Sequence, residues 1–267
     1  MPDTGYIALG YGDLAVGAAL IVFDAALSLY LRLGLARQIL VAGVRMAVQL
    51  GIMGMVLTSL FAMVSPLLTG LAAVVMIGFA GMEVAQRQDK PLSGPWNWGV
   101  GIGSMTLSTI LVTALALTTA LRPDPWYAPH YAIPLMGMIL GNTMTGVALG
   151  LNVLTSGAVA GRAAIEAQLM LGAQRWQALS PLVRKSLRTA LTPIVNTMAA
   201  TGIISLPGMM TGQILGGVPP EEAVKYQVLI LSLVAGAIGI GAVAAVLVAA
   251  WRLTDHRHRL RLDRLGR

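Results

Sequence analysis

Few residues in this 267-residue chain carry chemistry. It has no cysteine, which excludes thiolate metal sites, Fe–S clusters and disulfides. Its lysines, Lys90, Lys185 and Lys225, lie outside any GxxxxGK[ST] pattern, so ATP is not bound through a phosphate loop of that kind. His256 and His258 form an HxH in a basic tail, a thin basis for a metal site. Met209 and Met210 are soft thioether donors, better suited to copper(I) than to iron. Ordinary packing is the plainer role for them in a chain with 15 methionines. Asn142, Thr145 and Asn152 share one helical face, and polar groups in hydrocarbon need partners or a wet path. Asp24 and Arg45 are the notable charges within apolar stretches, each about seven residues from the same end, while Asp13 lies near the other end of the first stretch. Asp24 and Arg45 are expected to pair, which lowers the cost of placing either in lipid. Glu221 and Glu222 follow Pro219-Pro220, as acids at a helix start should. With His130, in "WYAPHYAIP", they could also form an outer cation-release site.

The elements that must hold these residues are membrane spans. The chain is 56% hydrophobic and 11% charged, too little charge for a soluble polar shell. Its apolar residues fall in runs of about 20, the length that crosses a bilayer as a helix. Seven are expected, at 7–31, 39–61, 63–82, 98–121, 132–154, 193–217 and 227–251. The runs are continuously apolar, which argues against a barrel. The fold class is therefore all-α and polytopic. Of the 18 Lys and Arg, 15 follow the first, third, fifth and seventh runs. This places the N-terminus outside and the C-terminus in the cytoplasm. The net charge of +7 then reflects loops beside anionic lipid, not nucleic acid. No Lys or Arg precedes Arg32, so the first run is expected to stay rather than be cleaved as a signal peptide. The chain reads as one transmembrane domain, 1–267, with a non-membrane stretch at 155–192. The tail at 252–267 is expected to be solvated and in contact with lipid headgroups.

The fifth run carries two GxxxG patterns, Gly137/Gly141 and Gly146/Gly150, which let backbones approach closely. The sixth contains Leu206-Pro207-Gly208-Met209-Met210. Proline removes a backbone donor and glycine loosens the helix, so a hinge or gate is expected at 205–213.

Within 155–192 the sequence "EAQLMLGAQRWQALSP" (166–181) predicts two short helices. Arg162 and Glu166 are four apart and can pair. Gly172-Ala173 suits a turn. Beyond it Trp176, Leu179, Val183 and Leu187 form an apolar stripe, with Arg175, Arg184, Lys185 and Arg188 mainly around it. Pro181 is expected to end or kink the second helix near Ser180. Spacing leaves two roles open: the stripe lies on the bilayer, or the bend enters a groove on a soluble partner.

"EAQLMLGA…W…LTP" resembles the EAA loop of ABC-transporter permeases, with Gln168 at the third place of the triplet. "IPLMGMILGNTMTGVALGLN" (133–152), this loop, "SLPGMMTGQILGG" (205–217) and "AVKYQV" (223–228) occur in the order and spacing of the FetB-like permease family. That family is associated with bacterial iron export and plant aluminium tolerance. The resemblance implies a permease subunit in the bacterial inner membrane, exporting a metal cation such as iron. It implies two copies of this chain with two copies of a separate ATPase, which would hold ATP and Mg. It also makes the loop a coupling helix, carried by Glu166, Ala167, Gly172, Ala173, Arg175 and Trp176. Asn142, Thr145, Asn152, Pro207, Gly208, Met209 and Met210 are candidates for the path or gate. A secondary transporter or channel without an ATPase is the alternative, with Asp24 as its main intramembrane acid.

Overall fold

A computed structural model describes residues 10–266. Among the described residues the chain is helical, with isolated bridges but no strand. The α-helices are α1 (Tyr11–Tyr30), α2 (Ala36–Met63), α3 (Pro66–Gln86), α4 (Trp96–Leu115), α5 (Pro129–Ala160), α6 (Arg162–Met170), α7 (Arg175–Ala200), α8 (Gly208–Leu215) and α9 (Pro220–Arg252). A π-helical stretch, Ala116–Leu121, prolongs α4. Pro66, Pro129 and Pro220 open α3, α5 and α9, where the missing N–H costs nothing. Glu221 and Glu222 fall in the first turn of α9, as the helix dipole favours.

Six of these helices are long and apolar enough to cross a bilayer: α1, α2, α3, α4 with its π extension, α5 and α9. The expected single span at 193–217 is not one helix. Its first part is the end of α7, residues 201–207 are non-helical, and α8 follows. Pro181 does not end its helix either, since α7 continues through Pro181 and Pro193 to Ala200. Ala178, Leu179 and Ser186 are buried around Pro181, and this packing offsets the lost backbone bond.

The chain divides into two compact units. In one, which holds α1, α2 and Gly212–Val218, α1 and α2 form an antiparallel pair. A Cβ on Gly43 would lie 3.1 Å from Ile21, which fixes their register. The Ser28 hydroxyl accepts the Leu35 N–H at 3.1 Å across the connecting loop.

The other unit comprises Ser65–Thr211 and Pro219–Arg267. Its centre is α5, which packs against α3, α4, α7 and α9. Two apolar clusters stack along it. One includes Ala132, Leu135 and Ile139 with Ile194, Ile230 and Val234. The other includes Val147, Leu151 and Leu154 with Val84, Leu179, Val246 and Leu253.

Close contacts fix the directions of the helices. Gly146 meets Ile238, Gly241 meets Thr143 and Val147, and Gly150 meets Val246, so α5 and α9 run parallel. Gly157 meets Leu182 and Gly146 meets the Ala190 carbonyl, so α7 runs antiparallel to both. The second GxxxG is thus the crossing point for α7 and α9. The first is not used in this way: Gly141 faces open space and Gly137 meets only Met76.

Candidate functional site

The ends of α3, α5 and α9 and the starts of α4 and α7 meet at one end of the larger unit, which carries most of its basic residues. Asn152 lies here rather than at mid-span. Its side-chain oxygen accepts the Asp89 N–H at 3.0 Å, and its amide donates to the Asp89 carboxylate at 3.0 Å. Gln88 donates to the Ala148 carbonyl at 3.1 Å. The α3–α4 loop is therefore level with residues 148–152 of α5.

The chain continues well past that level. The Ser186 carbonyl lies beside Gly150, and Arg175 is eleven residues nearer the start of α7. At 1.5 Å per residue the bend between α6 and α7 stands about 16 Å beyond Gly150. It is built as the spacing predicts. Gly172 has φ +89°, the left-handed conformation that side chains resist. Its N–H donates to the Leu169 carbonyl at 3.1 Å, and Ala173 N–H donates to Gln168 at 3.0 Å. This pair of bonds closes α6 as a Schellman turn. The Gln174 N–H donates to the Gln177 side chain at 2.9 Å and starts α7. Arg162 Nε donates to Glu166 at 2.9 Å, the expected pair.

The apolar stripe does not lie on a membrane surface. Leu179 is buried, and Val183 and Leu187 pack on the same cluster as α5 and α9. Trp176 is half exposed, with the Arg175 guanidinium 5.7 Å from its ring centre. The exposed apolar residues here are at the bend itself: Met170 is 83% and Leu171 89% exposed.

The tail is folded rather than loose. Leu265 bridges to Leu92, Ser93 N–H donates to the Arg264 carbonyl at 2.7 Å, and Gly266 N–H donates to Pro91 at 2.6 Å. Arg264 donates to the Arg252 carbonyl at 2.8 Å, satisfying the end of α9. Buried Asp255 accepts the N–H groups of Arg257 at 2.9 Å and Arg259 at 3.0 Å, and the Arg259 guanidinium at 2.9 Å. The Arg259 N–H above all, then its side chain and the Arg257 N–H, hold the Asp255 carboxyl down at about 2 against a usual 3.8. The folded-state value is lowered, so the contribution to stability is full above the unfolded value and is lost as pH falls through about 2. Asp255→Ala should release the turn at 254–260 at neutral pH, seen as faster amide exchange at Arg257 and Arg259 with α9 unchanged.

The intramembrane candidates are not brought to one place. The Asn142 amide donates to the Met138 carbonyl at 2.8 Å, and the Thr145 hydroxyl to Gly141 at 3.2 Å, each within α5. The Gly43–Ile21 register puts Asp24 and Arg45 five residues, about 7.5 Å, apart along the helix pair, and Asp24 is exposed. Pro207 accepts the Thr211 N–H at 3.0 Å and starts α8. Met209 packs on the cluster around Ile139, and Met210 is buried.

Ala200 is fourteen residues past Ser186, so the break lies about 21 Å along α5 from Gly150. That is within the roughly 30 Å of a bilayer core. Gly202, at φ +91°, accommodates the turn. The Ile204 and Ser205 N–H groups donate to the Ala200 carbonyl at 2.9 and 3.2 Å. Pro207→Ala should change the rate of transport without reducing insertion; flux and membrane yield measured together check this.

A further set of polar residues escaped the sequence reading. Ser104, Ser108, Thr109 and Thr113 of α4 are buried, as are Thr143 of α5 and Gln227 of α9. The hydroxyls of Thr109, Thr113 and Thr143 and the Gln227 carbonyl oxygen have no hydrogen-bond partner. A Cβ on Gly241 would lie 2.7 Å from Thr143 and 3.1 Å from the Ser108 hydroxyl, so α4, α5 and α9 converge there. The signal was available: the α4 hydroxyls recur at i, i+4, i+5 and i+9. Among the described residues no group of three or more His, Asp or Glu converges.

The family described as "Uncharacterised protein family (UPF0014)" matches residues 11–253. The chain is 36% identical over 231 residues to a UPF0014 membrane protein of Synechocystis sp., covering 85% of this chain and 87% of the relative. It is 35% identical over 225 residues to the UPF0014 membrane protein STAR2 of Oryza sativa subsp. japonica, covering 84% and 77%. It is 31% identical over 253 residues to the "Probable iron export permease protein FetB" of Escherichia coli, covering 95% of each. No solved structure matches it. With its bilayer-length helices and these relatives along nearly its whole length, the chain is a multi-pass membrane protein of the UPF0014 family.

Proposed function

We propose that this chain is the transmembrane subunit of an ATP-binding-cassette exporter, driven by a separate ATPase that docks on the bend at 170–174. The observation that carries the reading is the bend's position: Met170 and Leu171 are exposed about 16 Å beyond the level of Gly150. Apolar side chains held that far out, on a turn closed by its own hydrogen bonds, suit a pocket on a soluble protein. The stripe that could have lain on lipid is committed to the core.

The directions of the helices support the topology read from charge. α5 and α9 run parallel, so the chain must cross back between them, and α7 begins that return. This is a seventh crossing, broken near Ala200. The N-terminus is then outside, and the basic end of the bundle faces the cytoplasm. α7 falls short of a span's apolar length because its first part, with Arg184, Lys185 and Arg188, lies near or beyond the basic boundary.

The working assembly is two copies of this chain with two ATPase subunits, which carry ATP and Mg, in the bacterial inner membrane. A metal cation such as iron is the cargo, supported by the iron-export name of the Escherichia coli relative. The break at 201–207 is the gate. The test begins with the gene's neighbours: an adjacent reading frame should encode an ATPase without membrane spans. Reconstituted with it, this chain should show ATP hydrolysis stimulated by the transported metal. Metal flux in vesicles lacking any ATPase would instead establish a secondary transporter.

A further inference from the structure

The tail turn at 254–260 is built around Asp255, and its apex, His256 to His258, is exposed. It does not point away into solvent. The His258 Nδ1 accepts the backbone N–H of Arg175, the first residue of α7, at 3.1 Å. This hydrogen bond spans 83 residues of sequence and sets the apex beside the bend. The apex is therefore level with the start of α7. Leu260, Leu262 and Leu265 pack on the core and anchor the turn from below.

The charges of this face are unbalanced. Glu166 is engaged by Arg162, Asp255 by Arg259, and Asp263 by Arg261. Among the described residues the side chains of Arg175 and Arg257 have no carboxylate partner; Arg175 follows exposed Met170 and Leu171 across the bend, and Arg257 precedes His258, which the Arg175 N–H holds. An apolar tip with a cationic rim is the usual anatomy of a protein contact. Its complement is an apolar pocket with an acidic edge.

We propose that the tail apex, His256 and Arg257, is a second contact for the ATPase subunit, held in register with the Met170–Leu171 tip by the His258–Arg175 hydrogen bond and facing an acidic patch on that subunit. The proposal rests on the docking reading above. His258 acts as a positioning residue, keeping the basic rim and the apolar tip in one rigid surface. The tail, which sequence alone offers to the lipid, then belongs to the coupling surface.

The test uses the full chain in nanodiscs of neutral lipid, titrated with the purified ATPase encoded beside it. Arg257→Glu should weaken binding about tenfold and flatten its dependence on salt, as loss of a rim charge does. His258→Ala should weaken it about threefold. His258→Asn should restore it, since an amide oxygen can accept the same N–H and Asn tolerates the left-handed backbone that His258 adopts, φ +52°. If Arg257→Glu and His258→Ala bind within twofold of the native chain while Met170→Glu with Leu171→Glu abolishes binding, the tail contact is refuted and the docking bend stands. If the native chain itself binds no ATPase, both readings fall. An effect of Arg257→Glu that appears only in discs with anionic phospholipid would assign the apex to the membrane and also overturn the proposal.

Discussion

Gly172→Pro should leave the protein in the membrane at normal yield and abolish ATP-driven flux. Proline fixes φ near −65°, whereas Gly172 sits at +89°. It also deletes the N–H that donates to Leu169 at 3.1 Å, and so destroys the turn that aims Met170 and Leu171 outward. Misplacing the turn by a proline penalty of about 3 kcal/mol corresponds to roughly a hundredfold loss of docking affinity. Gly172→Ala keeps the N–H and meets only the left-handed penalty, about 1–2 kcal/mol, so it should lose on the order of tenfold. No Cβ clash complicates the comparison, because nothing lies within 4 Å of Gly172. Flux in proteoliposomes with the ATPase, alongside yield and melting temperature, separates coupling from folding. Native flux by the proline variant would remove the bend from the mechanism.

Gly146→Leu should cause a large loss of stability in the membrane region. A Cβ there would lie 2.6 Å from Ile238 Cγ2 and 3.1 Å from the Ala190 carbonyl, so α7 and α9 must both retreat from α5. Overpacking of this kind costs about 1–3 kcal/mol, and more where backbone must move. Helix association in lipid depends on close packing, so there is little else to compensate. Gly141→Leu is the matched control: it is on the same helix, five residues away, with nothing within 4 Å. Melting in detergent should drop several degrees for Gly146→Leu and hardly at all for Gly141→Leu. Equal melting of the two would mean that α5, α7 and α9 are not packed as described.

Much of this architecture was legible in the residues. The long apolar runs gave α1, α2, α3, α4, α5 and α9, because a bilayer imposes length and composition together. Gly172 marked the bend, since a positive φ has few other occupants. The sequence failed where tertiary packing overrode local rules. Pro181 reads as a stop, but buried neighbours on α5 carry α7 through it. The run 193–217 reads as a span because hydropathy does not register the turn at Gly202. Asn152 shares a helical face with Asn142, yet its partner, Asp89, is 63 residues away and no periodicity reports it. The tail was the largest surprise. Its arginines suggested solvent and lipid, whereas Asp255, one of two acids among them, organises the turn at 254–260.

α7 has one further mechanical consequence. It is continuous from Arg175, at the bend, to Ala200, at the break, 26 residues or about 39 Å of one rod. In the docking reading, displacement of its tip at the bend passes along this one backbone to the break. Two places along the rod are softened, Pro181 and Pro193, where a rung of the ladder is missing. In that reading the stroke that reaches the break is governed by the stiffness of the shaft at those two joints.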